Sequence, residues 1–171
     1  MKGPRSRERH GVLKIISGGQ TGIDRAALDA AIEAGIEYGG WCPKGGWAED
    51  LPNPPGVLAL YPDLGETPES APDQRTEWNV GYADRLLVLT DSAGLSVSKG
   101  TALALGSAEH LGKPHIVINV EAPDALAQAR AFLEEEADAT LCIAGPRESE
   151  APGIYAKARA FLERVLGVIA A

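Results

Sequence analysis

A buried strand that runs into a cluster of glycines and restarts as a helix restricts a chain more than any overall property does. Residues 12–16, Val-Leu-Lys-Ile-Ile, form a mainly apolar run that is too short for a helix and suits a buried strand. Ser17-Gly18-Gly19-Gln20-Thr21-Gly22 follows, then an alanine-rich segment at 23–34. Its Ile23, Ala27, Ala30, Ala31 and Ala34 share one side, so a helix is expected to lie close against a sheet and to stop at Gly35. Strand, glycine turn and helix start together aim backbone N–H groups, and about half a positive charge, at an anion. Gly18 and Gly19 allow close backbone approach, and Gln20 and Thr21 add side-chain donors. Arg25 stands in the first helical turn, where the dipole disfavours a cation, beside Asp24, which the dipole prefers. A local rule broken beside a glycine turn marks a functional position. Gly18, Gly19, Gln20, Thr21, Gly22, Asp24 and Arg25 are therefore candidate anion ligands; the alternative is a plain turn with a solvent-exposed Arg25.

The alternation continues along the chain. A glycine-weakened strand at 38–42 ends at Pro43, and residues 43–72 are rich in Pro and Gly, interrupted only by Val57-Leu58-Ala59-Leu60. A connection this long inside a compact domain reads as a functional loop or lid. Asp73 can cap a helix reaching 83, with Gln74, Trp78 and Tyr82 on one face and Arg75 and Asn79 on another. Strands are expected at 86–89, 116–120 and 139–143, and helices at 101–111, 124–136 and 152–169. This spacing implies a three-layer, doubly wound α/β domain with a mainly parallel, Rossmann-like sheet over residues 11–171. Residues 1–10, with Lys2, Arg5, Arg7 and Arg9, read as a basic mobile tail. Ligands of such sheets bind beyond the carboxyl ends of the strands, an edge that gathers residues 17–22, 90–100, Asn119 and 144–149.

A net charge of −8 argues against nucleic-acid or anionic-membrane partners, while leaving room for a local cationic pocket. No apolar run approaches a membrane span and nothing near Met1 resembles a secretory signal, so the expected location is the cytoplasm. Two distant cysteines and three histidines give a protein-bound metal little raw material, and none is expected.

The dinucleotide pattern G-x-G-x-x-G fits poorly: Ser17 takes the place of the first glycine, and no acid stands near Cys42-Pro43 to hold a ribose. Ser98-Lys99-Gly100-Thr101 has the wrong order for a P-loop, yet Gly100 and Thr101 can form a second anion cradle at a helix start. Lys99 reads equally well as a solvated loop lysine. Arg147, in Gly145-Pro146-Arg147-Glu148-Ser149, is placed to reach the strand-end crevice with a guanidinium suited to phosphate. Of the acids Glu49, Asp50, Glu77 and Asp84, the last two are the candidates for a general base acting on water.

The blocks Ser17-Gly18-Gly19-Gln20-Thr21-Gly22-Ile23-Asp24-Arg25, Gly40-Trp41-Cys42-Pro43-Lys44-Gly45, Ala48-Glu49-Asp50, Arg75-Thr76-Glu77-Trp78-Asn79-Val80, Gly100-Thr101 and Gly145-Pro146-Arg147-Glu148-Ser149 resemble the molybdenum-cofactor carrier family. That family falls in the SLOG superfamily of Rossmann-like nucleotide-binding proteins, beside the lysine-decarboxylase-like phosphoribohydrolases. The resemblance implies a homo-oligomer that binds an anionic small molecule, either molybdenum cofactor or a nucleotide. It adds Lys44 and Asn79 to the candidate ligands. The chain departs from the family's usual pattern at Gly46-Trp47 and Leu51, and it lacks the phosphoribohydrolase signature P-G-G-x-G-T-x-x-E. A binding, carrier or sensor protein is therefore expected, with a nucleotide N-glycosidase using Glu77 or Asp84 as the alternative.

Overall fold

The computed structural model describes residues 12–93 and 98–170. The basic tail expected at 1–10, and part of the polar loop at 90–100, lie outside the described residues. Five parallel strands form the central sheet: β1 (Val12–Ile16), β2 (Glu37–Gly39), β5 (Arg85–Thr90), β6 (His115–Asn119) and β7 (Ala139–Ala144), in the order β2-β1-β7-β5-β6. Counted from β7, that order reads 3-2-1-4-5, the order of a doubly wound nucleotide-binding sheet whose first strand has moved to the end of the chain. The topological switch point falls between β7 and β5.

The strands alternate inward residues to both faces, as expected of a sheet covered on both sides. Leu87, Leu89, Leu141 and Ile143 face a layer of three helices, α1 (Ile23–Ala34), α4 (Ala125–Glu134) and α5 (Ile154–Ala170). Leu86, Val88 and Cys142 face α2 (Pro72–Tyr82) and α3 (Lys99–His110). Ala26, Ala27, Ala30 and Ala31 are buried, so the small face of α1 brings it close to the sheet. Lys113 Nζ closes the far end of α2 by donating to the carbonyls of Val80, Gly81 and Ala83.

Two local expectations change. The run expected as one strand at 38–42 is broken at Gly40, whose φ of 121° turns the chain. β2 stays in the main sheet, whereas β3 (Trp41–Cys42) pairs with β4 (Gly65–Glu66) in a separate two-stranded sheet. A Cβ at Gly40 would overlap the Ser17 carbonyl, which explains why the break falls there. The helix expected to be capped by Asp73 starts two residues earlier, with Ala71 at the cap and Pro72 as its first residue, which puts Asp73 inside the first turn.

The long connection starts after β3 and carries β4 and a 3₁₀ turn at Gly56–Ala59. It has a core of its own, in which Cys42, Ala48, Val57, Tyr61 and Leu64 pack with Leu28 of α1. Tyr61 also donates its hydroxyl to Asp29 of α1 at 2.5 Å, and Tyr155 of α5 donates to the other oxygen of the same carboxylate.

Candidate functional site

The glycine turn after β1 runs between two hollows. Gly18 lets the Arg75 guanidinium lie across it, because a Cβ there would overlap that group and force it aside. Gly19, at φ 77°, presses against Val57 and Leu64 of the long connection. Gly22, at φ 76°, brings the start of α1 against the backbone of Pro146 and Arg147, so that Ile23 N–H donates to the Pro146 carbonyl at 3.2 Å. The turn therefore joins the long connection, α2 and the loop after β7 around one backbone. The N–H groups of Gly18, Gly19 and Gln20 form no hydrogen bond with any described residue.

The first hollow is a narrow crevice of about 50 Å³ at the switch point. Residues from four segments reach it: Ser17, Gly18, Gln20 and Asp24; Arg75, Thr76 and Asn79; Ser98, Gly100 and Thr101; and Gly145, Arg147 and Glu150. The starts of α1 and α3 thus converge on it, each with a positive dipole end, while α2 lends the side face that carries Arg75, Thr76 and Asn79.

Gln20 is 5% exposed, and its Oε1 accepts from the N–H groups of Thr21 and Glu49, both at 3.0 Å. Those two bonds fix the amide's orientation, and they leave the buried Nε2 without a partner. Arg75 Nη1 meets Asp24 Oδ2 at 2.7 Å, while the buried Arg75 Nε has no partner. Asn79 spends its side chain on Trp41, accepting from its N–H at 2.8 Å and donating to its carbonyl at 3.0 Å. It braces the wall of the crevice with groups already paired. Ser98 caps α3 through the Thr101 N–H at 3.3 Å.

The second hollow, of about 920 Å³, lies on the other side of the turn and is lined by Thr21, Gly22, Arg25, Asp29, Tyr61 and Tyr155, among others. Arg25 faces this side. Its guanidinium pairs with Asp50 at 2.7 and 2.9 Å and donates to the Gly19 carbonyl at 3.0 and 3.2 Å. The cation in the first turn thus ties the glycine turn to the long connection.

Glu49 makes the second tie. It accepts from the Thr21 hydroxyl, from Ser149 N–H at 3.2 Å and from Ser149 Oγ at 2.6 Å, and Arg147 Nη1 stands 3.7 Å away. Burial works against the Glu49 carboxylate, but the hydrogen bonds from Ser149 and Thr21 and the charge of Arg147 outweigh it. They hold its carboxyl below the ordinary range. A lowered pKa contributes stability above the ordinary value of 4.5, and that stability is lost as pH falls through the lowered value. Glu49→Gln is expected to raise amide exchange at Glu49 and Ser149 about fivefold at pH 7, the effect of losing about 1 kcal/mol of local stability. In the wild type the same amides are expected to loosen only below about pH 4.5. Unchanged exchange in the variant would mean that Glu49 does not fasten the loop.

Besides Thr21, Gly22 and Arg25, which line the second hollow, three further candidates stand apart from the crevice. Lys44 lines a shallow hollow with Gly45, Trp47, Pro52 and Pro54 in the long connection. Glu77 is exposed and lies two residues from both Arg75 and Asn79, which turns it away from the face they share. Asp84 precedes β5 and accepts from the Thr140 N–H at 2.9 Å, at the amino edge of the sheet. Sequence reasoning left Ser17, Arg75, Thr76, Ser98 and Glu150 out of the site, and of these the charged partner of Asp24 is Arg75. Its signal was present: it shares a helix face with Asn79, four residues on. Among the described residues no group of three or more His, Cys, Asp or Glu side chains gathers where it could hold a metal ion. No helix among them is long and apolar enough to cross a membrane.

A parallel sheet in this order, with two helix starts and a glycine turn at its switch point, defines a Rossmann-like domain. Residues 15–166 match the Circularly permutated YpsA SLOG family, and the chain belongs to that family. The permutation agrees with the position of β7, last in sequence and central in the sheet. A crystal structure from Syntrophus aciditrophicus, of a protein named "putative molybdenum carrier protein", is similar over 93% of this chain and 98% of its own, with 38% identity and a TM-score of 0.81. No curated protein matches the chain.

Proposed function

We propose that the protein binds a phosphate-bearing small molecule, a molybdenum cofactor or a nucleotide, with the phosphate seated in the crevice between the glycine turn, α2 and α3. The observation that carries this reading is Gln20: a buried amide whose oxygen is committed and whose Nε2 is left unpartnered on the crevice wall. A buried donor without an acceptor is costly, and an oxyanion would relieve it. The unpaired N–H groups of Gly18, Gly19 and Gln20 and the dipole ends of α1 and α3 favour the same charge. Arg147, about one-third exposed at the mouth, adds a guanidinium. About 50 Å³ suits a phosphate group, and the rest of the ligand would extend outward. The name of the Syntrophus protein makes a molybdenum compound a reasonable cargo. The N-glycosidase alternative has neither of its two carboxylates, Glu77 and Asp84, at this crevice.

Mass spectrometry of small molecules released from freshly purified protein is expected to find a phosphorylated compound. In calorimetry with that compound, Gln20→Ala and Arg75→Gln are each expected to weaken binding tenfold or more, from the loss of charge-assisted hydrogen bonds worth about 1.5–3 kcal/mol. Wild-type affinity in both folded variants would end this assignment. A symmetric homo-oligomer is proposed as well, and the exposed Trp78 and Tyr82 on α2 offer apolar surface for one. Light scattering that gives the 17.9 kDa mass of one chain at all working concentrations would count against it.

A further inference from the structure

The crevice contains one group that a simple anion site would exclude. Asp24 is 7% exposed and lines the same wall as Gln20 and Arg75. Its Oδ2 is engaged by Arg75, whereas its Oδ1 makes no hydrogen bond with any described residue. Glu150 is a second carboxylate at the crevice, but it is turned to Arg147, accepting from its N–H at 3.0 Å with the guanidinium Nε at 3.6 Å. The two cations and two carboxylates of the lining cancel, which leaves attraction to the helix dipoles and the orphan N–H donors. An oxyanion seated against those donors would bring one oxygen toward Asp24. If that oxygen carries a proton, it donates to the carboxylate. Otherwise two buried negative oxygens face each other, an arrangement that is strongly disfavoured where water is scarce.

We propose that the crevice selects a protonated oxyanion, a phosphate or the phosphoryl end of a larger molecule, over unprotonated ones such as sulfate and molybdate. Asp24 Oδ1 accepts the P–O–H of the ligand, while Gln20 Nε2, Arg75 and the turn's N–H groups donate to the other oxygens. This rests on the reading that the crevice is the phosphate site, and it deepens that reading by naming the residue that sets specificity. Its consequence for a molybdenum compound is definite: such a cargo is held by its phosphate, and free molybdate is not the ligand.

The test is calorimetric titration of the purified protein at pH 7 with inorganic phosphate, sulfate and molybdate, followed by the same titrations of Asp24→Asn. At that pH inorganic phosphate keeps at least one proton and the other two keep none. Wild-type protein is expected to bind phosphate at least tenfold more tightly than sulfate or molybdate, the effect of one hydrogen bond to a charged group. In Asp24→Asn the amide can donate to an unprotonated oxygen, so sulfate and molybdate should gain until the three differ by no more than about threefold. A nucleoside monophosphate, titrated near pH 6 where its second ionisation lies, separates the sources. Tighter binding than inorganic phosphate assigns the site to a phosphoryl group, and weaker binding to the free ion. Wild-type protein that takes sulfate or molybdate as readily as phosphate would overturn the selectivity and leave the anion site standing. Wild-type protein that binds none of the probes would remove the phosphate site itself. Should Asp24→Asn fail to fold, the wild-type ratios decide alone.

Discussion

Gly22→Ala is expected to destabilise the protein by about 3 kcal/mol or more, several times the effect of the same change at Gly35. Both glycines have positive φ, 76° and 69°, but their surroundings differ. Gly22 combines that φ with a ψ of −126°, a region that side chains avoid. A Cβ there would overlap the Pro146 carbonyl and the backbone of Arg147. Backbone strain contributes about 1–3 kcal/mol and overpacking against main chain a similar amount. Gly35 ends α1 in an ordinary left-handed turn with open space around it, so alanine there should lose only about 1 kcal/mol. Urea unfolding of the two variants makes the comparison. Gly22→Ala should also weaken phosphate binding, because displacement of the loop after β7 moves Arg147. Equal losses at the two glycines would show that the contact between the turn and residues 146–147 yields easily.

The parts of this fold that could be read from sequence are those set by local pattern and two-sided burial. Leu86 to Leu89 is a continuous apolar run, and Ala139 to Ile143 is interrupted only by Thr140, because helices cover both faces of the sheet, and runs of that kind identify themselves. The order of strands is different in kind. That β7 enters between β1 and β5 depends on contacts across the whole chain, and no local pattern encodes it. The break at Gly40 was hidden because a glycine in a weak strand looks the same whether it bends the chain or not.

The candidate site divides along similar lines. Backbone features marked it: the glycine turn and the start of α3 do meet at one crevice. Side-chain partners were harder to assign. Arg25 breaks the dipole rule, yet sequence alone could not say whether its partner is a ligand or, as here, Asp50 and the Gly19 carbonyl. Asp84 stands immediately before a strand and so at the amino edge, whereas ligands of these sheets meet the carboxyl edge. That position was legible once the strand was placed.

Arg85 presents the opposite case, a charge that sequence would put in water and the structure buries. The sequence pattern places the third strand at 86–89, but β5 begins at Arg85, which is 2% exposed. Its guanidinium lies 3.8 Å from the centroid of the Phe132 ring, donates to the Phe132 carbonyl and reaches Glu135. It therefore closes the end of α4, where carbonyls lack helical partners and a cation is favoured. Arg85→Ala is expected to lower stability by about 2–4 kcal/mol, since it removes a stacked cation, opens a void and strands a carbonyl. Glu135 is 64% exposed, so its ion pair with Arg85 adds little to that figure. Arg85→Met separates packing from polarity: it refills most of the volume over Phe132 and leaves the carbonyl unpaired. If packing dominates, Met should recover at least half of the loss caused by Ala, as replacement of buried ion pairs by apolar residues of similar size often does. If the capping bonds dominate, the two variants should unfold at nearly the same urea concentration. A loss below about 0.5 kcal/mol in Arg85→Ala, the range of an ordinary surface substitution, would mean that α4 holds its place without this residue.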